Sequence, residues 1–429
     1  MIGGGGFNYV SGNGSFVGAG GTIKSGNIVS GSDAFAGAGD HNTVSGDQGF
    51  VGAGSSNAVS FAGGFVGAGT SNEVLEPDAF VGAGTSNIAS AANAFVGAGD
   101  QNTDSGVNSA IGGGKLNTLS GSYSFVGAGF ADKVVGYGSF AGAGGWLEQT
   151  GNNVTGFDAF VGAGDQNSVT ANEGFVGAGS SNAVGALGGF IGAGTANTIG
   201  STGTYASIIG GLGNAASGTY ASVIGGYGNA ATGSYAIVAG GNSNTASGTL
   251  TYAAGYHADA AHNGSFVWSD YVSGSSTIKD TATNQFVVRA SGGTYVYSNE
   301  AATSGVKLAA GSGTWASLSD RNAKTAIAPL DDASILAKVA SLPISAWQYT
   351  SEKGVRHVGP MAQDFYAAFG TGTDDRHITS IDEDGVALAA VQAVNAKLDR
   401  ENGRLRASLE DLHAELRRLE KAVSESAKR

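Results

Sequence analysis

The sequence has no cysteine, four prolines, and not one arginine in its first 265 residues. Without cysteine there is no disulfide framework, so another staple must hold the fold, and the redox compartment is not legible. Glycine is abundant (76 of 429 residues), but few prolines and no G-X-Y period exclude collagen. Valine, phenylalanine and alanine are too frequent for a disordered chain. No stretch of 18 apolar residues occurs, so no membrane-spanning segment is expected. Residues 1–265 hold three lysines (Lys24, Lys115, Lys133) against fourteen acids, a net of −11, and the remainder carries −2. Such an acidic body lacks the basic footprint that nucleic-acid binding needs. The opening MIGGGGFNYV has neither a basic region nor an apolar core, unlike a signal peptide. It enters the repeat abruptly, as a fragment or minimal form would.

What the sequence does have is a period. FVGAG or a close variant begins at Phe35, Phe50, Phe65, Phe80, Phe95, Ala110, Phe125 and Phe140, fifteen residues apart. It resumes at Phe160, Phe175 and Phe190, then reads as Ile208, Val223, Val238 and Ala253, the longest interruption being Gly144 to Gly156. An asparagine follows at a fixed offset (Asn42, Asn57, Asn72 and onward), in many units with a valine, leucine or isoleucine two residues later, as at Val44, Val59, Val74, Leu119, Val169, Val184 and Ile199. The unit reads strand, turn, strand, turn. Fifteen residues suit one coil of a β-solenoid and are too few for a helical repeat.

In such a solenoid each position meets its own copy one coil on, about 4.8 Å away. Asparagines then form an amide ladder, glycines permit turns and close backbone approach, and alternation sorts Val, Ala and Phe onto opposite faces. Sixteen anchors from Phe16 to Ala253 imply a rod of roughly 75 Å. A thin coil of small residues buries little, so the phenylalanines are expected to pack between chains of a homo-oligomer. Residues 1–265 resemble the head repeat of trimeric autotransporter adhesins, which implies a parallel β-roll wound as a homotrimer.

Other signals read as structural. The glycine runs at Gly3–Gly6 and Ile111–Lys115 lack a G-x-x-x-x-G-K-[ST] pattern and are turn glycines, so no nucleotide or other cofactor is called for. His257 to His262 (YHADAAH) suits a capping turn better than a metal site. Ile381 to Gly385 (IDEDG) lacks the rest of a calcium loop and reads as a helix N-terminus with Asp382 in the capping region.

After Gly255 the period fades. Gln285–Gly293 and Gly305–Ser319 read as strands with turn glycines. Asp331 to Leu342 places Ile335, Val339 and Leu342 on one helical face, stopped by Pro343. From Leu388 to Val423 apolar residues alternate steps of three and four. Leu409, Leu416 and Val423 fall at a, Leu398, Leu405, Leu412 and Leu419 at d, and Asn395 and Asn402 are polar a residues that set register. This reads as a parallel coiled coil, with an amphipathic helix packed on a globular core as the alternative.

The stretch SLSDRNAK, Ser317 to Lys324, crowds charge into a chain that has carried little. S-D-x-x-x-K, a short helix, RHVGPMAQDF (Arg356–Phe365) and a terminal coiled coil follow in order. Together residues 317–429 resemble the intramolecular chaperone domain of endosialidase-type phage tailspikes and tail fibres, a self-cleaving serine peptidase family. The resemblance implies Ser319 as nucleophile, Lys324 as base and Leu318–Ser319 as the broken bond. It matches Asp320 to the residue after the nucleophile and His357 to a supporting histidine; Gln363 also falls in the matched segment, while Pro360 and Met361 depart from the usual aliphatic pair. The chemistry is self-consistent: a serine hydroxyl needs a base, and lysine serves only where its surroundings favour the neutral amine. A separation of five is not a helical neighbour pair, so a turn must fold Lys324 back.

The expected architecture is mainly β: a homotrimeric parallel β-solenoid over 1–265, a β-rich connector over 266–318, a small α/β chaperone over 319–387 and a coiled coil over 388–429. The expected function is that of a distal tail fibre or tailspike. It would bind a host cell-surface glycan or protein receptor and shed its chaperone by cleavage in cis; it would need no cofactor, bind no nucleic acid, and reside in the virion tail. A bacterial surface adhesin is the alternative. A polysaccharide-degrading tailspike is disfavoured because Asp40, Asp100, Asp165, Glu73 and Glu76 are scattered in turns, not paired across a groove.

Overall fold

The computed structural model describes residues 1–21, 25–145, 151–272, 274 and 276–427. The chain divides into two compact units, Met1–Ser291 and Gly292–Arg429.

The first unit is a parallel β-solenoid. One ladder of short strands, two to six residues long, runs from Phe16–Val17 up to Phe286–Arg289, and a second from Tyr9–Val10 to Ile278–Lys279. Each position pairs with its own copy one coil on: Phe50 with Phe65, Val51 with Val66, Val59 with Val74. A third contact, a single-residue bridge, joins Asp40, Ser55, Thr70, Thr85 and Asp100 in succession. The ladders continue past residue 265 through Phe266–Ser269 and Phe286–Arg289. Five residues of the 144–156 insertion, 146–150, lie outside the described residues.

Period-two alternation decides what is inside. Val51, Val59, Val66 and Val74 are fully buried. The phenylalanines point the other way and stack on one another, with ring centroids 4.8 Å apart for Phe50–Phe65 and 4.7 Å for Phe65–Phe80. The last four repeats correct the sequence register by one residue. Ser207, not Ile208, pairs with Phe190, while Ile208 pairs with Ile191. Likewise Val223, Val238 and Ala253 stand in the buried column. A one-residue slip turns a strand over, and isoleucine or valine belongs inside; the seven-residue offset from leading residue to asparagine in uninterrupted coils agrees with Ser207 and Asn214.

The asparagines form the expected ladder, and it is buried. Asn57 donates its side-chain N–H groups to Asn42 Oδ1 (3.0 Å), Ala53 O (3.2 Å) and Gly69 O (2.9 Å), and its backbone N–H to Asn42 Oδ1 (3.1 Å). Asn57 Oδ1 in turn accepts from Asn72, so every buried polar atom of the amide is satisfied. Three positions per coil are left-handed, and only one needs glycine. Ser56 (φ +61°) and Gln48 (φ +59°) occupy the other two kinds, whereas a Cβ on Gly54 would lie 2.0 Å from Gly69 O.

The second unit holds a three-stranded antiparallel sheet (Gly293–Tyr297, Gly305–Ala309, Trp315–Ser317), a short hairpin (Ser345–Trp347, His357–Gly359) and three helices. Helix α1 (Asp332–Ser341) is capped by the Asp331 carboxylate, which accepts from Ser334 N–H, and buries Ile335. Helix α2 spans Ala362–Phe369 and ends on left-handed Gly370. Helix α3 (Ser380–Ser426) is one unbroken 47-residue helix. Thr379 Oγ1 caps it by accepting from Asp382 N–H at 3.2 Å, so IDEDG is a helix start. Its stripe of Leu398, Leu405, Leu412 and Leu419 is more than half exposed along this single chain. Among the described residues no helix is long and apolar enough to cross a membrane.

Candidate functional site

Strand Trp315–Ser317 runs into the motif, and the Leu318 N–H is held by Gly305 O at 2.9 Å. The chain then turns. Asp320 Oδ1 accepts from the Asn322 backbone N–H (2.9 Å) and side-chain N–H (3.1 Å), closing a 3-10 turn over Arg321–Ala323. Lys324 N–H reaches Arg321 O at 3.1 Å. The turn returns the lysine to the serine: Lys324 Nζ donates to Ser319 Oγ at 2.6 Å. At that distance the amine and the hydroxyl can exchange a proton. Both side chains are exposed in the single chain.

Beside Leu318 lies an open cleft of about 400 Å³, lined by Val296, Val306, Leu318, Thr379, Ser380 and Ile381. His357 is placed by the hairpin, opposite Trp347. Its ring stacks on Trp347 at 4.7 Å, and its Nε2 lies 3.2 Å from Glu352 Oε2. Among the described residues no hydrogen bond joins His357 to Ser319 or Lys324. Gln363 lines a second cleft with Trp347, Tyr349 and Met361. Sequence reasoning does not pick out Asn322 or Glu352. Asn322 is detectable as the second residue after a turn-forming Asp; Glu352 has no local signal.

Other candidate positions fall elsewhere. His257 stacks on Tyr256 at 4.1 Å, and His262 Nδ1 lies 3.2 Å from Asp280 Oδ1. No group of three or more metal-ligating side chains occurs among the described residues. Asp100 is paired with Lys115 at 3.1 Å.

No curated protein matches the chain. Residues 319–372 match the family model described as chaperone of endosialidase, whose activity is that of a self-cleaving intramolecular chaperone. The match begins at Ser319, the residue held by Lys324. With its long β-solenoid shaft the chain fits a tail-fibre-like protein, and its residues 319–372 are similar to the chaperone-of-endosialidase family.

Proposed function

We propose that the chain is the distal part of a phage tail fibre or tailspike whose C-terminal chaperone assembles a homotrimer and then cuts itself off between Leu318 and Ser319. The observation that carries this reading is the 2.6 Å contact of Lys324 Nζ with Ser319 Oγ at the first residue of the family match. Lys324 takes the hydroxyl proton as Ser319 Oγ bonds to the Leu318 carbonyl carbon. The Leu318–Ser319 C–N bond breaks, the proton passes to the freed amine, and water hydrolyses the ester to a Leu318 carboxylate. The open cleft at Leu318 gives water a route to that carbonyl.

Lysine acts as a base only as the free amine, which burial favours. The dyad is exposed on one chain, so a partner chain covering it would switch cleavage on after assembly. His357, oriented by Glu352 and Trp347, is assigned a supporting role. The exposed leucine stripe of α3 and the stacked phenylalanines of the shaft are the faces assigned to partner chains. Thin coils one repeat out of register are nearly isoenergetic, so a tail that trimerises first would align the three shafts. The domain division proposed is a shaft over 1–265 whose ladders run on into the connector as far as Arg289, a connector to 318, a chaperone over 319–387 and a coiled coil beyond, the shaft contacting the host surface from the virion tail.

Intact-mass measurement on the folded protein tests the reading. Two pieces, 1–318 and 319–429, are expected from the wild type and one full-length chain from Ser319→Ala. A Ser319→Ala chain that still splits after Leu318 would overturn it.

A further inference from the structure

One outward corner of the solenoid is left-handed in coil after coil. In the lower coils it carries mostly acids and amides, Asp33, Gln48, Asp78, Asn93, Asp158 and Glu173, with one tyrosine, Tyr123, all exposed. The same corner then changes chemistry. Tyr205, Tyr220 and Tyr235 occupy it, at φ +55°, +57° and +56°, each about half exposed. Their rings stack, with centroids 5.6 Å apart for Tyr205–Tyr220 and 5.1 Å for Tyr220–Tyr235. Stacking occupies the ring faces of the middle tyrosine, so the row offers ring edges and phenol hydroxyls at one-coil spacing. Hydroxyls repeat beside it: Thr204, Thr219 and Ser234 precede the tyrosines. The sequence has no Asp, Glu, Lys or Arg between Glu173 and Asp259.

We infer that this tyrosine corner is a binding site for a neutral, linear polysaccharide, an inference that rests on the host-binding reading above. Tyrosine pairs an apolar body with a polar tip at low ordering cost, and an exposed aromatic cluster marks an interaction surface. The corner carries exposed acids in the coils below that form no ion pair among the described residues, which favours the solvent side of the shaft over a face between copies of the chain. The absence of charge leaves an anionic ligand without a counter-charge. A site that repeats by translation along a rod fits a ligand that repeats likewise, which a folded protein surface does not.

The test is binding of the full chain to an immobilised array of neutral and acidic polysaccharides, wild type against Tyr205→Asn/Tyr220→Asn/Tyr235→Asn. Asparagine tolerates the left-handed conformation and stands at this corner at Asn93 and Asn108, so the fold is expected to survive, as circular dichroism would report. Retention on neutral linear glycans, weakened at least tenfold in the variant, is the expected result. Retention on acidic glycans alone, no retention on any neutral glycan, or equal retention by the variant would each overturn the site. Cleavage after Leu318, read by mass on the same samples, stands or falls independently. Binding unaffected by the variant would leave host attachment intact and move it elsewhere on the shaft.

Discussion

Asn152 donates both its backbone N–H (2.8 Å) and its side-chain N–H (3.0 Å) to one oxygen of Asp132, leaving the other carboxylate oxygen buried without a hydrogen-bond partner. Asp132 occupies the column that asparagine fills in the neighbouring coils at Asn117 and Asn152. An amide nitrogen would donate there; a carboxylate oxygen has nothing to give. Burial pushes Asp132 up from 3.8 to about 6, against the N–H groups of Asn152 that lower it.

The folded-state value lies above the unfolded one, so the stabilisation is fully present below pH 4. It is lost as pH rises through about 6. A rise of that size costs the shaft roughly 3 kcal/mol at most once the carboxylate is ionised. Asp132→Asn is therefore expected to raise the thermal midpoint of the shaft clearly at pH 8 and little at pH 5. Equal midpoints for variant and wild type at pH 8 would contradict the assignment. Burial likewise pushes Asp104, in the otherwise apolar column, to about 6, so part of the pH dependence should persist in the variant.

Glycines of the two turns should differ in what they tolerate. Gly69 (φ +111°) has the Gly84 carbonyl 2.1 Å from where a Cβ would be, and backbone cannot yield. Gly63 (φ +69°) would meet only the Asp78 carboxylate, the end of a movable side chain, in a column where Asn93 is native. Gly69→Ala is expected to cost several kcal/mol, on the order of 3 or more, and Gly63→Asn less than about 1. Comparable denaturation midpoints for the two variants would remove the close-approach explanation.

The coil, the asparagine ladder and the helical tail are legible because each rests on periodicity. Val51 and Val66 stand fifteen apart and face inward together for the same reason that Asn57 lies under Asn72. The register differs at Ile208 because glycine pairs replace G-A-G there: matching glycines shifts the frame, while Asn214 keeps the true one. The bridge through Ser55 and Thr70 has no sequence signature, since one residue of pairing imposes no alternation. At the site, Ser319, Asp320 and Lys324 are readable because a local turn joins them. The Glu352–His357 pair is not, because it depends on how a hairpin loop folds over its own strand.

The proposed role of α3 makes the tail necessary for shaft assembly. Leu405, Leu412 and Leu419 are 66%, 65% and 58% exposed on one chain, far more than a helix keeps when partnered. Replacing all three with serine is expected to abolish soluble trimer and leave the shaft aggregated. Light scattering and soluble yield decide it; a normal yield of folded trimer would make the tail dispensable, and a stable wild-type monomer would remove the trimer itself.

Asp320 is the test of how the dyad is built. Its carboxylate closes the turn through Asn322 and touches neither Ser319 nor Lys324 by hydrogen bond. It should therefore act on position and not on proton transfer. Loss of alignment by about 1 Å can cost on the order of 100-fold in rate, so Asp320→Ala is expected to slow self-cleavage by roughly 10- to 100-fold. Asp320→Asn keeps an acceptor oxygen for the Asn322 N–H and should recover most of that loss. Lys324→Ala removes the base and should leave the chain uncut, whereas Lys338→Ala, on α1, should cut normally. Cleavage should fall as pH drops, because an ammonium cannot accept the serine proton, and should be first order, because nucleophile and bond share one chain. The pH at which the rate is half-maximal should be the same in Asp320→Ala as in the wild type. A shifted pH profile would place Asp320 in the proton transfer itself, and a wild-type rate in Asp320→Ala would mean that the turn forms without its cap.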